Sequence, residues 1–315
     1  MNSYAVGVDI GGTKIDSVLM DSAGNVIRDV IVPTAPQEGA AAVFDRIAAS
    51  VAQLADNAPG AIVSIGIGCT GLVNQQTGIV ENSVHLGWQK TPLRDGVRER
   101  LRFDVPIAVE NDLKAAALGE KRFGAGQDSA AFVYLAIGTG LGSAAVIGDR
   151  VVSGSRGLAM ELGHLVIDPQ GRRCACGRRG CLETLLSGTG LAHAAGILRH
   201  DHPESTLYAG DDKPTTAAVL AAARAGDPFG RLLIDEMRGG LARALSICAA
   251  IYNPDLIVLG GGFGLAAWDL LTDGVTALAR ELALPELFDG LRLSKPECPR
   301  QAIGAGAVGL QAIGQ

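Results

Sequence analysis

Apolar residues fall into two kinds of run along this chain, and the two kinds alternate. Residues 4–10, Ile15 to Met20 and Val26 to Val32 are short β-branched runs parted by Gly11–Lys14 and by Ser22-Ala23-Gly24-Asn25, which predicts a three-strand meander. From Ala40 to Asn57 the spacing changes, with Val43, Ile47, Val51 and Leu54 on one helical face. Ala61 to Cys69 is the continuous apolar run of a strand buried on both faces. A helix over 93–101, a strand over 105–109 and a helix over 113–121 follow. The plan then starts again: a strand over 130–137, a Gly/Thr turn over 138–142, a strand over 143–147, a turn at Gly148-Asp149 and a return strand over 150–153. Later segments predict helices over 216–224, 229–252 and about 265–282, strands over 256–259 and 290–294, and a closing helix from Ala302. A meander with a Gly/Thr turn at the same place, at 4–32 and at 130–153, marks an internal duplication. Strands alternating with helices imply α/β layers in two halves. Ligands of such sheets bind beyond the carboxyl ends of the strands, where Asp9, Asp112, Gly138 and Gly260 fall.

Composition narrows the class without choosing the chemistry. The 315 residues are 48% hydrophobic and 19% charged, enough for two cored domains. A net charge of −6 argues against nucleic acid as a partner. The start lacks the basic and apolar regions of a signal peptide, and no stretch reaches the ~18 apolar residues of a membrane span, so no membrane partner is expected. Three of the six cysteines crowd into 174–181, which suggests metal ligands in a reducing compartment, hence the cytoplasm. Cys69, Cys248 and Cys298 lie in apolar or ordinary contexts and are assigned to the core.

Candidate chemistry gathers at five places. His164, Cys174, Cys176 and Cys181 supply one imidazole and three thiolates, the set of a closed tetrahedral zinc site. Glu161 and Glu183 flank it, so a metal knuckle could aim two carboxylates, or merely staple a loop. Asp9, Gly11, Gly12, Thr13 and Lys14 form a turn whose backbone, hydroxyl and ammonium suit an anion, and Gly138, Thr139 and Gly140 recur in the second copy. Each alone is equally an ordinary hairpin; the matching pair favours a polyphosphate. Glu110-Asn111-Asp112 ends a strand: Asp112 is either a helix N-cap or a general base, with Asn111 orienting the attacking hydroxyl. Gly260-Gly261-Gly262 either makes a tight turn or admits a flat ring. The arginines at 172, 173, 178 and 179 are expected to form a solvated rim.

DIGGTK at 9–14, END at 110–112, GTGLG at 138–142, ELGH at 161–164, CACGRRGCLE at 174–183 and LGGG at 259–262 together resemble the ROK family of sugar kinases and repressors, nearly from end to end. The resemblance implies an actin/hexokinase-like (ribonuclease H-like) α/β fold with a duplicated βββαβαβ core. Its two domains would be residues 1–112 plus about 303–315, and 113–302 carrying the zinc loop. It implies ATP-dependent phosphorylation of a hexose 6-hydroxyl, glucose first, with N-acetylmannosamine, N-acetylglucosamine or fructose as alternatives. Asp112 would be the catalytic base; Asn111, Glu161, His164, Glu183 and, less directly, Asn82 would hold the sugar. Asp9 and Gly11–Lys14 would face the phosphates and Mg²⁺, Gly138–Gly140 would form the second phosphate turn, and Gly261 and Gly262 would back the adenosine. Zinc would be structural, and a dimer or tetramer is implied. Two places depart from the family pattern: Lys114 follows the END motif where a small or amide residue is common, and Ser83-Val84-His85 precedes Gly87-Trp88. A repressor would carry a helix-turn-helix ahead of the sugar domain, and here the first motif begins at residue 9.

Overall fold

The computed structural model describes residues 3–56, 58–208 and 214–314. In chain order the first half runs β1 (Ser3–Ile10), β2 (Lys14–Asp21), β3 (Val26–Pro33), α1 (Ala40–Ala55), β4 (Ala61–Cys69), β5 (Leu72–Asn74), β6 (Ile79–Ser83), β7 (Trp88–Thr91), α2 (Leu93–Arg98), β8 (Ile107–Asn111) and α3 (Asp112–Phe123). The second runs β9 (Ala131–Ile137), β10 (Leu141–Ile147), β11 (Arg150–Val151), α4 (Gly188–Leu198), α5 (Thr216–Ala225), α6 (Pro228–Tyr252), β12 (Leu256–Gly260), α7 (Gly262–Ala266), α8 (Trp268–Thr272), α9 (Val275–Arg280), β13 (Arg292–Ser294) and α10 (Gln301–Ala312). One sheet has the order β3-β2-β1-β4-β8 and another the order β11-β10-β9-β12-β13. The two orders match position for position, so the duplication expected from the Gly/Thr turns is present in the fold. Among the described residues no helix is long and apolar enough to cross a membrane.

Two compact units divide the chain. The first holds Met1–Ser129, Ala144–Met160 and Pro296–Gln315; the second holds Ala130–Ser143 and Glu161–Lys295. The first thus reaches past residue 112 through α3 and recovers a later segment, because the C-terminal helix packs on both α3 and the sheet.

In the first unit, β1 is antiparallel to β2 and parallel to β4, and β4 is parallel to β8. On one face α1 buries Val43, Ile47, Val51 and Leu54, the stripe its sequence shows, against Val8, Ile10 and Ile67. On the other face α10 lies backbone to backbone on the sheet: a Cβ on Gly66 would stand 1.7 Å from the Ala305 carbonyl oxygen, and one on Gly7 1.9 Å from that of Ala302. This explains a Gly/Ala-rich helix with little amphipathic pattern, since only bare backbone permits so close an approach. Gly66→Ala is expected to destabilise the chain by at least ~1–3 kcal/mol, the usual cost of overpacking, read as a lower urea midpoint at unchanged slope.

Three readings of the sequence change. The segment over 265–282 is not one helix but α7, α8 and α9. Asp273 is extended and Gly274 adopts φ 67°, a left-handed conformation that cannot continue a helix. A small antiparallel sheet, β5-β6-β7, occupies a stretch where no strand is expected. Its strands are three to five residues long and carry Asn74, Glu81, Asn82, Gln89 and Lys90, too polar and short for a period-two signal. Helix α4 is also unanticipated, because Gly188, Gly190 and Gly196 depress its helical propensity.

Candidate active site

In the first unit, neighbouring parallel strands end together. The register aligns Ile10 with Cys69 and Cys69 with Asn111, so Asp9 and Asp112 emerge at one edge of the sheet. A Cβ on Gly68, the partner of Asp9 in the register, would lie at ordinary contact distance, 3.6 Å from Asp9 Oδ1 and 3.4 Å from Ala115 Cβ.

Asp112 opens α3, but the cap is Asn111. The Asn111 Oδ1 accepts hydrogen bonds from the Leu113 and Lys114 N–H groups at 3.1 and 3.2 Å. The capping role open to Asp112 therefore falls on its neighbour. Asn111 Nδ2 donates to the Gly71 carbonyl and to Asp112 Oδ1, both at 2.9 Å, so this amide is committed to holding Asp112. Asp112 Oδ1 also accepts from Leu113 N–H at 2.9 Å. Surrounding protein raises the Asp112 pKa by desolvation, while its backbone donors, His85 and Asn111 pull it back. Asp9 is pushed up to about 7 by burial and by the nearby charges of Asp112 and Asp16, against Lys14. A bound cation would reverse that shift.

Gly71, at φ 112°, fits against β6; a Cβ there would stand 2.3 Å from the Asn82 carbonyl oxygen. Asn111, Gly71 and the Asn82–Ser83 end of β6 are thus in direct succession, and the turn after β6 brings His85 to the site. His85 Cβ is 3.4 Å from where a Gly12 Cβ would be, and the imidazole is near enough to lower the Asp112 pKa. In the sequence His85 stood out only as part of the tripeptide that departs from the family pattern, with no role assigned to it. Gly11 closes the first Gly turn by donating to the Lys14 carbonyl at 3.0 Å, with Thr13 and Lys14 exposed.

Lys114 turns away into the protein. It is 3% exposed, its Nζ donates to the Gly157 carbonyl, and it offsets the charge of buried Glu110. Glu110 accepts from Gln75 Nε2 and from Asn111 N–H, yet burial pushes its pKa up to about 7. Folded Glu110 keeps its proton in a range where the unfolded residue has released it. Stability should therefore fall as pH rises from the ordinary 4.5 to about 7 and level off above, by up to about 3 kcal/mol from this group. Urea midpoints at pH 5 and pH 8 check this, and Glu110→Gln should narrow the difference.

In the second unit the matching turn is closed by Gly138 N–H on the Gly140 carbonyl at 3.0 Å. Gly188 N–H donates to the Gly138 carbonyl at 2.8 Å and Thr189 N–H to that of Thr139 at 3.1 Å. Gly138 and Thr139 share a cavity of about 590 Å³ with Gly262, Phe263, Thr216 and Leu220. The two Gly motifs that sequence alone could not connect therefore meet. Gly261 has φ 83° and a Cβ would strike the Ile137 carbonyl oxygen at 2.4 Å, whereas Gly262 faces open space. The helical walls from α4 and α5 were not foreseen, being ordinary Ala, Leu and Thr.

His164, Cys174, Cys176 and Cys181 place one ligand atom each within 4.8 Å of all the others. His164 Nδ1 stands 3.8 Å from Cys174 Sγ, and Cys176 Sγ 3.6 Å from Cys181 Sγ. A tetrahedron with Zn–S bonds of ~2.3 Å has edges of ~3.8 Å, so donor set and spacing fit zinc. Tight backbone turns make the knuckle: Gly177 at φ 90°, Gly180 at φ 71°, and Cys174 N–H on the Arg178 carbonyl at 2.8 Å. Glu183 is tied to both the knuckle and the Gly turn, with Oε1 3.6 Å from Cys174 Sγ and Oε2 accepting Leu141 N–H at 2.9 Å. Glu161 is exposed at the head of the short turn carrying His164, whose N–H donates to the Glu161 carbonyl at 3.1 Å. The solvated rim expected of the arginines needs correction at Arg172, which bonds both Glu236 oxygens at 2.5 and 2.6 Å and the Thr184 carbonyl at 3.3 Å. Helix α6 supplies the carboxylate that draws it in.

The ROK family profile matches residues 5–310, and the chain belongs to the ROK family. A glucokinase from Halalkalibacterium halodurans is 34% identical over 91% of this chain and 88% of its own. A ROK family glucokinase from Streptomyces griseus, solved with glucose and AMPPNP, is 31% identical with a TM-score of 0.77, covering 98% of this chain and 99% of that one. A ROK family transcriptional regulator, homologous to the E. coli MLC protein, is 30% identical with a TM-score of 0.85, covering 98% of this chain and 77% of that one. Kinases and regulators thus share this fold, so function must be argued from the site.

Proposed function

We propose that this protein transfers the γ-phosphoryl group of ATP to the 6-hydroxyl of glucose. The chain is an ATP-dependent sugar kinase; glucose as the sugar, and the residue roles that follow, are our reading. The observation that carries it is Asp112, a desolvated carboxylate held at the strand edge by the Asn111 amide and Leu113 N–H. A group so held is placed to accept the 6-hydroxyl proton while that oxygen bonds to the γ-phosphorus and ADP departs. Asn111 acts by orienting Asp112, with Asn82 beside it on β6. Glu161, His164 and Glu183 serve as hydrogen-bond partners of the other hydroxyls. The cavity lined by Thr139, Gly262 and Phe263 suits the adenosine and its first phosphates, with Gly261 shaping the turn. Gly11–Lys14 offers a second phosphate turn.

Two metals complete the reading. Asp9 is the carboxylate that would face Mg²⁺, whose charge neutralises the phosphates in transfer. His164, Cys174, Cys176 and Cys181 would hold zinc, which makes no bond to substrate and keeps the knuckle rigid. His164 would then bind through Nδ1, leaving Nε2 for a hydroxyl or carboxylate. All six cysteines are unpaired, as suits a cytoplasmic protein.

Steady-state assays with ATP on glucose, mannose, fructose, N-acetylmannosamine and N-acetylglucosamine test the reading. Glucose should show the highest kcat/KM, because a site built around hydroxyl partners rejects analogues that leave them unpaired by ~10⁴ or more. Turnover of none of the five would refute it, and preference for an acetylated hexose would move the assignment to that sugar.

A further inference from the structure

Behind the knuckle, in the second unit, lies a cavity of about 510 Å³ that no role above uses. Its walls are the two arms of the knuckle, the Thr184–Leu185 turn, one face of α4 and one carboxylate of α6. Its volume falls within the ~300–1,000 Å³ typical of small-molecule sites. Six ionisable side chains line it: Arg172, Arg173, Arg179, His193, Asp168 and Glu236. Arg172 and Glu236 cancel through their direct ion pair. Against the remaining acid, exposed Asp168, stand Arg173 and Arg179, neither of which makes an ion pair among the described residues, and His193. The cross-strand pairing of Arg173 with Arg179 brings the two guanidinium-bearing residues side by side. Leu185 and Ile197 add an apolar wall.

We infer that this cavity binds a phosphomonoester of hexose size, with Arg173 and Arg179 on the phosphate, His193 beside them, and Leu185 and Ile197 against the carbon skeleton. Guanidinium pairs are suited to phosphate because their forked donors meet two oxygens at once. A plain inorganic anion would leave the apolar wall unused and most of the volume filled with water. The cavity is separate from the metal cluster and from the cavity at Gly138 and Gly262. Arg173 and His193 also line a small pocket that holds Cys174 and Glu183, and Thr184 follows Glu183 directly. An occupant would press on the segment that carries a proposed sugar carboxylate; that consequence rests on the kinase reading, whereas the binding does not.

Isothermal titration of the zinc-loaded protein with glucose 6-phosphate and, separately, inorganic phosphate tests this. Both are run at saturating glucose so that a sugar site is blocked. Glucose 6-phosphate should bind at one site per chain, at least ~10-fold more tightly than inorganic phosphate. Arg173→Ala/Arg179→Ala should weaken it at least ~10-fold with zinc content unchanged. Ile197→Trp, on α4 and away from the knuckle, should weaken it similarly by filling the cavity, which keeps the test valid if the arginine variant loses metal. Absence of binding at saturating glucose, equal affinity for inorganic phosphate, or binding that survives Ile197→Trp and the arginine variant would each overturn the inference.

Discussion

Asp112→Asn is expected to lower kcat by about 10³–10⁴-fold while glucose affinity and zinc content stay near wild type. Asparagine has the same shape, and its carbonyl oxygen can still accept the Leu113 N–H and the Asn111 amide that now meet Oδ1. What it lacks is the capacity to take a proton in the transition state, so the loss should appear in kcat with little change in KM. Parallel measurements of steady-state rate, glucose binding by calorimetry and metal content separate a lost base from a damaged fold. If the variant keeps most of its turnover, the proton goes elsewhere and Asp112 only supports the helix start.

Cys176→Ser is expected to abolish stoichiometric zinc and to raise the glucose KM by at least ~10-fold with a smaller effect on kcat. Cys176 is the exposed member of the pair with Cys181, whose thiols stand 3.6 Å apart. Serine is nearly isosteric but a poor ligand for a soft cation, so the substitution removes one donor and little packing. Without the metal, His164 and the segment through Glu183 lose their common anchor, while Asp112, in the other unit, is untouched. Metal analysis together with a KM-against-kcat comparison reads the effect. A zinc-free variant with an unchanged KM would limit the metal to stapling a loop.

Much of the site was legible because its chemistry needs residue types that are rare in combination. Three cysteines and a histidine crowded between residues 164 and 181 form a soft-metal donor set, and the structure gathers all four. The Gly/Thr turns were legible because the same residue types recur at the same place between strands, and their recurrence exposed the duplicated sheet order. Asp112 was placed at the strand end, but the division of labour with Asn111 was not. Either side chain can cap a helix, and only the Gly71 carbonyl and the Asp112 carboxylate together draw the Asn111 amide into its place. In the sequence Lys114 stood out as a departure after the END motif, and Arg172 as part of a solvated rim. Each instead meets a partner far along the chain, Gly157 and Glu236 respectively.

The sequence by itself determined the strands and helices of the two large sheets, the repeat of the meander, the metal donor set and the strand-end carboxylates, but not the small β5-β6-β7 sheet, α4 or the breaks that divide α7, α8 and α9. The features it determined follow from local periodicity, backbone sterics and ligand chemistry, which act over a few residues. Tertiary structure alone decided that Gly138 and Gly262 share one cavity, that His85 comes beside the first Gly turn, and that Arg172 is spent on Glu236 while Arg173 and Arg179 line the cavity behind the knuckle. Such pairings join residues distant along the chain, and which partner a flexible charged side chain meets is set by packing and burial rather than by its neighbours in sequence.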